Sequence, residues 1–341
     1  MFNSLLWERV GGALWGLSLG DAYGMPMEMW PRHTREELLG NVNCLLPGHS
    51  QNNISKGRIA GEVTDDSAFT RLICDLLLED GTVNPHRLVT KIISWLEFGG
   101  EKCDLVLGPS TRKAIEDIDR GIPVEEAGST GRTNGAAMRI LPIGIVFDYR
   151  DEARFVNEVV NTCMATHYTN LAISAAGAVA GATSCAVRGG TCAEVVEASL
   201  RLAECCEKYG NHVSDVRISA RIRCAIDIAN HCTDDEAVMT ALSETIGTGL
   251  PAEESIPTAI ALFYYVNGDP MRCASLCANI GGDTDTIGAM ACGLCGSISG
   301  KAALNSADLD CIRRASRIDW DPYIEKLITL SSKVQHKGDL R

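Results

Sequence analysis

Apolar residues recur along this chain at intervals of three and four, and strict alternation is nearly absent, so the pattern predicts helices almost throughout. Candidate helices cover residues 5–24, 66–80, 85–98, 109–119, 134–146, 152–164, 169–188, 191–207, 213–229, 234–246, 255–267, 270–279, 286–299 and 307–317. Glycine and proline pairs such as Pro47-Gly48, Asp80-Gly81, Gly99-Gly100 and Gly189-Gly190 mark short connections, as in closely packed helical proteins. The longest stretch without periodicity, about 31–63, is rich in Asn, Gly, His and Ser and is expected to form a lid or substrate loop. No repeat, low-complexity linker or break in composition divides the chain. The expectation is one all-α domain over residues 1–330, followed by a polar C-terminal tail at 331–341.

Composition narrows the function classes. A length of 341 residues allows a sizeable core, and 45% hydrophobic with 22% charged residues is the balance of a globular protein. Few aromatics, 5%, with abundant Ala and Gly suit helices in close contact. A net charge of −13 argues against nucleic acid or an anionic membrane as partner, because both select a basic face. A phosphorylated substrate stays open, since bound metal ions supply local positive charge. Fifteen cysteines without a regular framework read as reduced thiols, and the expected location is cytoplasmic. Residues 1–25 carry Glu8 and Asp21 in a 3.6-type rhythm, which is a core helix rather than a signal peptide. Cys292 and Cys295, Cys273 and Cys277, and Cys205 with Cys206 are expected to be small core residues. The oligomeric state is unreadable, and a monomer is the default.

The chemistry concentrates in two acidic segments. Thr64-Asp65-Asp66 opens one apolar run, and Gly281-Gly282-Asp283-Thr284-Asp285-Thr286-Ile287-Gly288 opens another. Asp or Thr before an apolar run is ordinarily a helix cap. Capping needs one oxygen, however, and carboxylates crowded on one tight turn repel each other unless a cation neutralises them. Four carboxylates and two hydroxyls make an all-oxygen site of the kind that takes Mg²⁺ or Mn²⁺. Glu28, after Gly20-Asp21-Ala22-Tyr23-Gly24, is a candidate base near that site. Thr133-Asn134-Gly135-Ala136-Ala137-Met138-Arg139 enters a helix through small residues, where exposed N–H groups can cradle a phosphate or where Asn134 simply caps. His167 in Thr166-His167 is a lone histidine, ordinarily structural. Glu254-Ser255-Ile256-Pro257-Thr258-Ala259 has helix-start character with Pro257 in the first turn, and alone says nothing of function.

Taken in order, these segments closely resemble the ADP-ribosylglycohydrolase family, which includes the dinitrogenase-reductase-activating glycohydrolase and the ADP-ribosyl-acceptor hydrolases. The motifs run from about residue 11 to 300, nearly the whole chain. The resemblance implies a compact orthogonal multi-helix bundle around a binuclear metal site holding two divalent cations, Mg²⁺ or Mn²⁺. It implies Thr64, Asp65, Asp66, Asp283, Asp285 and Thr286 as ligands, and places Glu28 at the family's movable glutamate. Asn134 and Gly135 fall in its phosphate-contacting loop, and His167 falls near its ribose and diphosphate site. Ser67 stands where many relatives have Thr, and no metal-motif position is substituted.

The implied activity is metal-dependent hydrolysis of the C1 N- or O-glycosidic bond of an ADP-ribosyl group, on a protein or a small molecule, with Glu28, Asp65 or Asp285 acting as base. Two alternatives stand beside it: hydrolysis of small N-ribosides, which would use the same residues, and a non-enzymatic crystallin-like relative, which predicts eroded ligands. All six ligand positions are intact.

Overall fold

The helical rhythm becomes eighteen α-helices and no sheet among residues 4–338, which a computed structural model describes. In chain order they begin with α1 (Ser4–Gly24), α2 (Arg32–Leu39), α3 (Asp65–Asp80), α4 (Pro85–Gly99), α5 (Glu101–Val106) and α6 (Pro109–Asp119). The middle of the chain forms α7 (Val124–Ala127), α8 (Leu141–Val146), α9 (Glu152–His167), α10 (Asn170–Val187), α11 (Cys192–Cys206) and α12 (Ile218–His231). The last part adds α13 (Asp235–Thr245), α14 (Ala252–Tyr265), α15 (Pro270–Ile280), α16 (Thr284–Ser299), α17 (Ser306–Ser316) and α18 (Asp321–Gly338).

Two central contacts organise the rest. All residues of α10 are buried; it is apolar enough by length and composition to cross a membrane, yet it is enclosed by α8, α9, α11, α14 and α16. Beside it, α1 runs antiparallel to α16 with the backbones almost touching. Gly12, Gly16, Gly20 and Gly24 lie at four-residue spacing and so form one ridge of α1. A Cβ on Gly12 would stand 2.0 Å from Gly296 O, and one on Gly20 would stand 2.0 Å from Gly288 O. At Gly24 it would stand 2.3 Å from the Asp285 amide nitrogen. Only glycine permits such an approach. The other faces of α1 carry Leu14, Trp15, Leu17 and Leu19, all fully buried. Each contributes roughly 1.5–3 kcal/mol of hydrophobic stabilisation. The glycine ridge therefore sets the distance between α1 and α16, and with it the distance between their acidic residues.

Several expectations are corrected. The predicted helix 134–146 is a 3-10 turn at Asn134–Ala136 and a separate α8, because Pro142 restarts the helix at its second residue. Helix α14 begins at Ala252, so Pro257 lies inside the helix rather than in its first turn. Helices α2, α5, α7 and α18 were not expected. The polar tail assigned to 331–341 is instead helical as far as Gly338, with Ser331 and Val334 buried; residues 339–341 lie outside the described ones. The segment expected as a lid is partly helical (α2), and its remainder is anchored. Asn52 Nδ2 donates to Glu28 O at 2.9 Å, and Ser55 Oγ to Pro26 O at 3.0 Å. Cys273, Cys277, Cys292 and Cys295 are fully enclosed, as expected of core residues; Cys206 is buried and Cys205 is half-buried.

Candidate metal centre and active site

Six helix starts are capped by their own side chains: Asn84, Thr169, Thr191, Asp234, Asp269 and Asn305 all accept from N–H groups of the helices they open. The two acidic segments, like the starts of α2, α6, α9 and α12, are not among them. Neither Thr64 before α3 nor Asp283 before α16 makes a side-chain cap bond. The capping alternative is thereby set aside, and their oxygens turn toward each other at the end of the α1–α16 contact.

The start of α3 is capped from outside, by Asp21 of α1. The Asp21 carboxylate accepts from Thr64 N at 2.9 Å, Thr64 Oγ1 at 3.0 Å, Ser67 N at 3.1 Å and Ser67 Oγ at 2.6 Å. This is why Ser serves at position 67: the hydroxyl is what Asp21 uses. One carboxylate oxygen each from Asp21, Asp66 and Asp285 lies within 4.8 Å of the others, and the same holds for Glu28, Asp283 and Asp285. Asp285 thus belongs to both groups. Thr64 Oγ1 and Thr286 Oγ1 lie 3.0 and 3.2 Å from Asp66 Oδ2. Asp65 enters neither group, although it stands within electrostatic reach of Asp21 and Asp283.

A cation-binding reading was tested on the donor set. Glu28 Oε2, Asp66 Oδ1 and Asp285 Oδ1 are buried and meet no hydrogen-bond donor among the described residues. Unpartnered buried oxygens are costly, and three of them in one hard-oxygen cluster fit a divalent cation of the Mg²⁺ or Mn²⁺ type. Asp21 differs. Its lone pairs are already taken by the start of α3, so it positions Thr64 and Asp66 rather than offering a free ligand. Supporting groups of this kind are worth roughly 10–100-fold in metal affinity. Asp21→Asn is therefore expected to weaken Mn²⁺ binding by about that factor, measured by titration calorimetry; unchanged affinity would show that α3 is held without it.

Burial pushes all these acids upward; neighbouring carboxylates add to it at Glu28, Asp65, Asp66 and Asp285, whereas hydrogen bonds work against it at Asp21 and Asp283. Asp21 rises to about 6 and Asp65 to about 8, while Glu28, Asp66 and Asp285 are held well above the usual carboxylate range and Asp283 above it. The sign for stability follows from proton linkage. Between the unfolded carboxyl value, about 4, and about 8 for Asp65, the folded chain binds more protons than the unfolded one, so raising pH destabilises it. In EDTA the melting temperature is expected to fall from pH 5 to pH 8. Mg²⁺ or Mn²⁺ should recover it, most strongly at pH 8. A flat profile without cation would contradict the burial of these groups.

Glu28 hangs from a strap. Met29, in a left-handed conformation at φ 62°, donates its N–H to Gly282 O at 2.7 Å, and Gly282 N donates to Trp30 O at 2.8 Å. The backbone of the expected movable glutamate is thus tied to the turn that carries Asp283, leaving movement to its side chain. Opposite, the Asn134 turn is joined to the same turn: Asn134 Nδ2 donates to Asp283 Oδ2 at 2.5 Å and to Ser255 Oγ at 3.0 Å. Ser255, silent in the sequence, is a strut, and Asn134 N–H bonds Leu250 O at 3.0 Å from the same region. His167 reaches this turn from the end of α9 but is fully buried beneath it. A Cβ on Gly135 would stand 2.9 Å from the His167 ring, so the turn rests directly on the imidazole.

The expected residues therefore assemble in one place, with Asp21 and Ser255 added and Asp65 set to one side. Comparison with known proteins agrees with this geometry. A family model for ADP-ribosylglycohydrolase matches residues 3–337. An uncharacterized protein, YegU, of Escherichia coli (strain K12) is 36% identical over 94% of this chain and 96% of its own. ADP-ribosylhydrolase ARH3 of Xenopus tropicalis is 26% identical over 86% of this chain and 88% of its own. A solved ADP-ribosylglycohydrolase-related protein complex superposes with a TM-score of 0.71 at 22% identity, covering 96% of this chain and 99% of that one, which shows the fold. With its acids buried around one point and residues 3–337 matched, the chain belongs to the ADP-ribosylglycohydrolase family of glycosidase-type hydrolases.

Proposed function

We propose that the chain hydrolyses the C1 glycosidic bond of an ADP-ribosyl group at a site holding two divalent cations, Mg²⁺ or Mn²⁺. The observation that carries this reading is the pair of buried acid groups sharing Asp285, with three unpartnered oxygens, beside the Asn134 turn. Asp66, Asp283 and Asp285 would hold the cations together with Thr64 and Thr286, with Asp65 at the rim. Bound there, divalent cations supply positive charge and Lewis acidity toward sugar oxygens.

The residues themselves divide the work. Hydrolysis at an anomeric carbon passes through an oxocarbenium-like state and needs an incoming water and a leaving-group proton. Glu28 is the acid best placed to take a proton from that water. Its Oε2 is unpartnered, it retains 8% exposure, and the nearby Arg58 charge works against the upward push of burial. The Asn134 turn, rigid on His167 and Ser255, would hold the diphosphate so that the ribose lies against the acids; this contributes positioning rather than bond-breaking.

The test is release of free ADP-ribose from arginine-linked and serine-linked mono-ADP-ribosyl peptides, with Mg²⁺ or Mn²⁺ and with EDTA. Cation-dependent release from one of them supports the proposal and identifies the acceptor. Release from neither, with cations bound, would move the reading to small N-ribosides. In the same assay Glu28→Gln is expected to lower turnover by on the order of 10²–10⁴-fold while keeping its cations. Loss of cations instead would make Glu28 a ligand.

A further inference from the structure

Arg139 is fully buried and, among the described residues, no carboxylate forms an ion pair with it, although Asp65 lies within electrostatic reach. Its Nη2 donates to Thr162 O at 3.1 Å and to Thr166 Oγ1 at 2.7 Å, while Nε and Nη1 meet no acceptor. A guanidinium can only donate, so Thr166 Oγ1 receives that bond. Thr166 Oγ1 also lies 2.7 Å from His167 Nδ1, and its own proton has no other acceptor among the described residues. That proton therefore goes to Nδ1, which must be the bare nitrogen of the ring. A neutral imidazole carries its proton on the other nitrogen. His167 Nε2–H accordingly donates to Thr133 Oγ1, 3.0 Å away. Thr133 Oγ1 then donates to Ser110 Oγ at 2.9 Å, and Thr133 N–H reaches the same oxygen at 3.4 Å. Ser110 lies half-buried at the start of α6, and its own proton has no acceptor among the described residues.

We infer that Arg139, Thr166, His167, Thr133 and Ser110 form one directional hydrogen-bond chain, which fixes His167 as the neutral Nε2–H tautomer and leaves the Ser110 hydroxyl as an uncharged donor to an anionic oxygen held at the Asn134 turn. Two further observations agree. Burial, with the Arg139 charge nearby, holds His167 well below the usual imidazole range. The receiving end adjoins Asn134, which is itself bonded to Asp283. A lysine or arginine at that end would be drawn into the acid cluster, whereas a hydroxyl can serve a phosphate without being neutralised by the carboxylates. Recognition there is therefore built from O–H dipoles lined up by a cation kept on the far side of the histidine. The identity of the anion, a diphosphate, rests on the glycohydrolase reading; the direction of the chain does not.

The chain is tested on ¹⁵N-histidine-labelled protein by long-range ¹H–¹⁵N correlation. The expected result is a protonated Nε2 and a bare Nδ1 at His167, unchanged between pH 6 and pH 8. A protonated Nδ1, alone or in an imidazolium, overturns the chain. The donor is tested by calorimetry with ADP-ribose in the presence of Mg²⁺. Ser110→Ala and Thr133→Val should each weaken binding by about tenfold, the scale of one hydrogen bond to a charged group, with Ser110→Thr restoring it and kcat moving less than KM. Unchanged affinity in Ser110→Ala overturns the donor role. Failure of the wild-type protein to bind ADP-ribose overturns the glycohydrolase reading and the ligand assigned to Ser110, while the histidine spectrum still decides the chain.

Discussion

Asp285→Asn is expected to lose hydrolysis by on the order of a thousandfold or more, the scale of the several kcal/mol that metal-ion catalysis contributes. The reason is positional. Asp285 is the one carboxylate within 4.8 Å of both the Asp21–Asp66 pair and the Glu28–Asp283 pair, so its loss reaches both halves of the site. It also carries one of the three buried oxygens without a donor. The change should not harm the fold. Asp285 is pushed upward by burial and then by Glu28, Asp283 and Asp66, so removing its charge relieves repulsion in the cation-free chain. The variant in EDTA should melt no lower than wild type. A variant that keeps its activity would remove Asp285 from the centre; one that unfolds would make it structural.

The second large effect is expected at a glycine rather than at a carboxylate, Gly20 beside Asp21. Gly20→Val should cost well over the roughly 1–3 kcal/mol of ordinary overpacking, because the atom in the way is a backbone oxygen rather than a pliable side chain. A Cβ there would stand 2.0 Å from Gly288 O and 2.2 Å from its carbonyl carbon. Helices α1 and α16 would have to part, separating Asp21 and Glu28 from Asp285. The expected result is a large drop in melting temperature or failure to accumulate as folded protein. Any folded fraction should bind Mn²⁺ poorly. Normal stability would show that the two helices approach less closely than the ridge requires.

How much of this was legible in the sequence depends on the range over which each feature is determined. Helix positions were local: the 3.6-residue rhythm located thirteen of the long helices to within a few residues, and errors appeared where a local rule was misapplied. In α18 the rhythm is present, since Ile324, Leu327, Ile328 and Val334 are all buried, but residues 321–330 were given no helix and 331–341 were read as a polar tail. At 134–146 the small apolar residues looked continuous, and the restart at Pro142 was passed over. The acidic segments were legible because their crowding makes no sense as capping, and the structure brings Thr64, Asp66, Asp283, Asp285 and Thr286 together with Glu28. Asp21 was passed over as a site residue because its work is done 43 and 46 residues away, at the N–H and hydroxyl groups of Thr64 and Ser67. Nothing in Gly20-Asp21-Ala22 distinguishes a cap supplied to another helix from an acid at the end of its own. Ser110 was invisible for the same reason, and Ser255 was visible only as part of a segment given no role. Each acquires meaning only when Thr133 or Asn134 lies against it.

The resemblance carried information that periodicity could not, namely that these distant segments act together. The structure supplies the reason they can. Glycines on α1 allow the backbone of α16 to come within reach, so acids from both helices share one buried point. Helix starts at α3 and α16 are left without side-chain caps of their own, which frees the side-chain oxygens of Thr64 and Asp283 for the site.

The central claim, that this buried acid cluster is a two-cation centre with Asp285 common to both sites, is tested most directly by counting. Equilibrium dialysis against Mn²⁺ should give two ions per wild-type chain, and their electron paramagnetic resonance should show the spin coupling of ions about 3.5–4 Å apart. Asp285→Asn should hold one ion or none. Two uncoupled ions, a single ion in the wild type, or an unchanged count in Asp285→Asn would contradict the account.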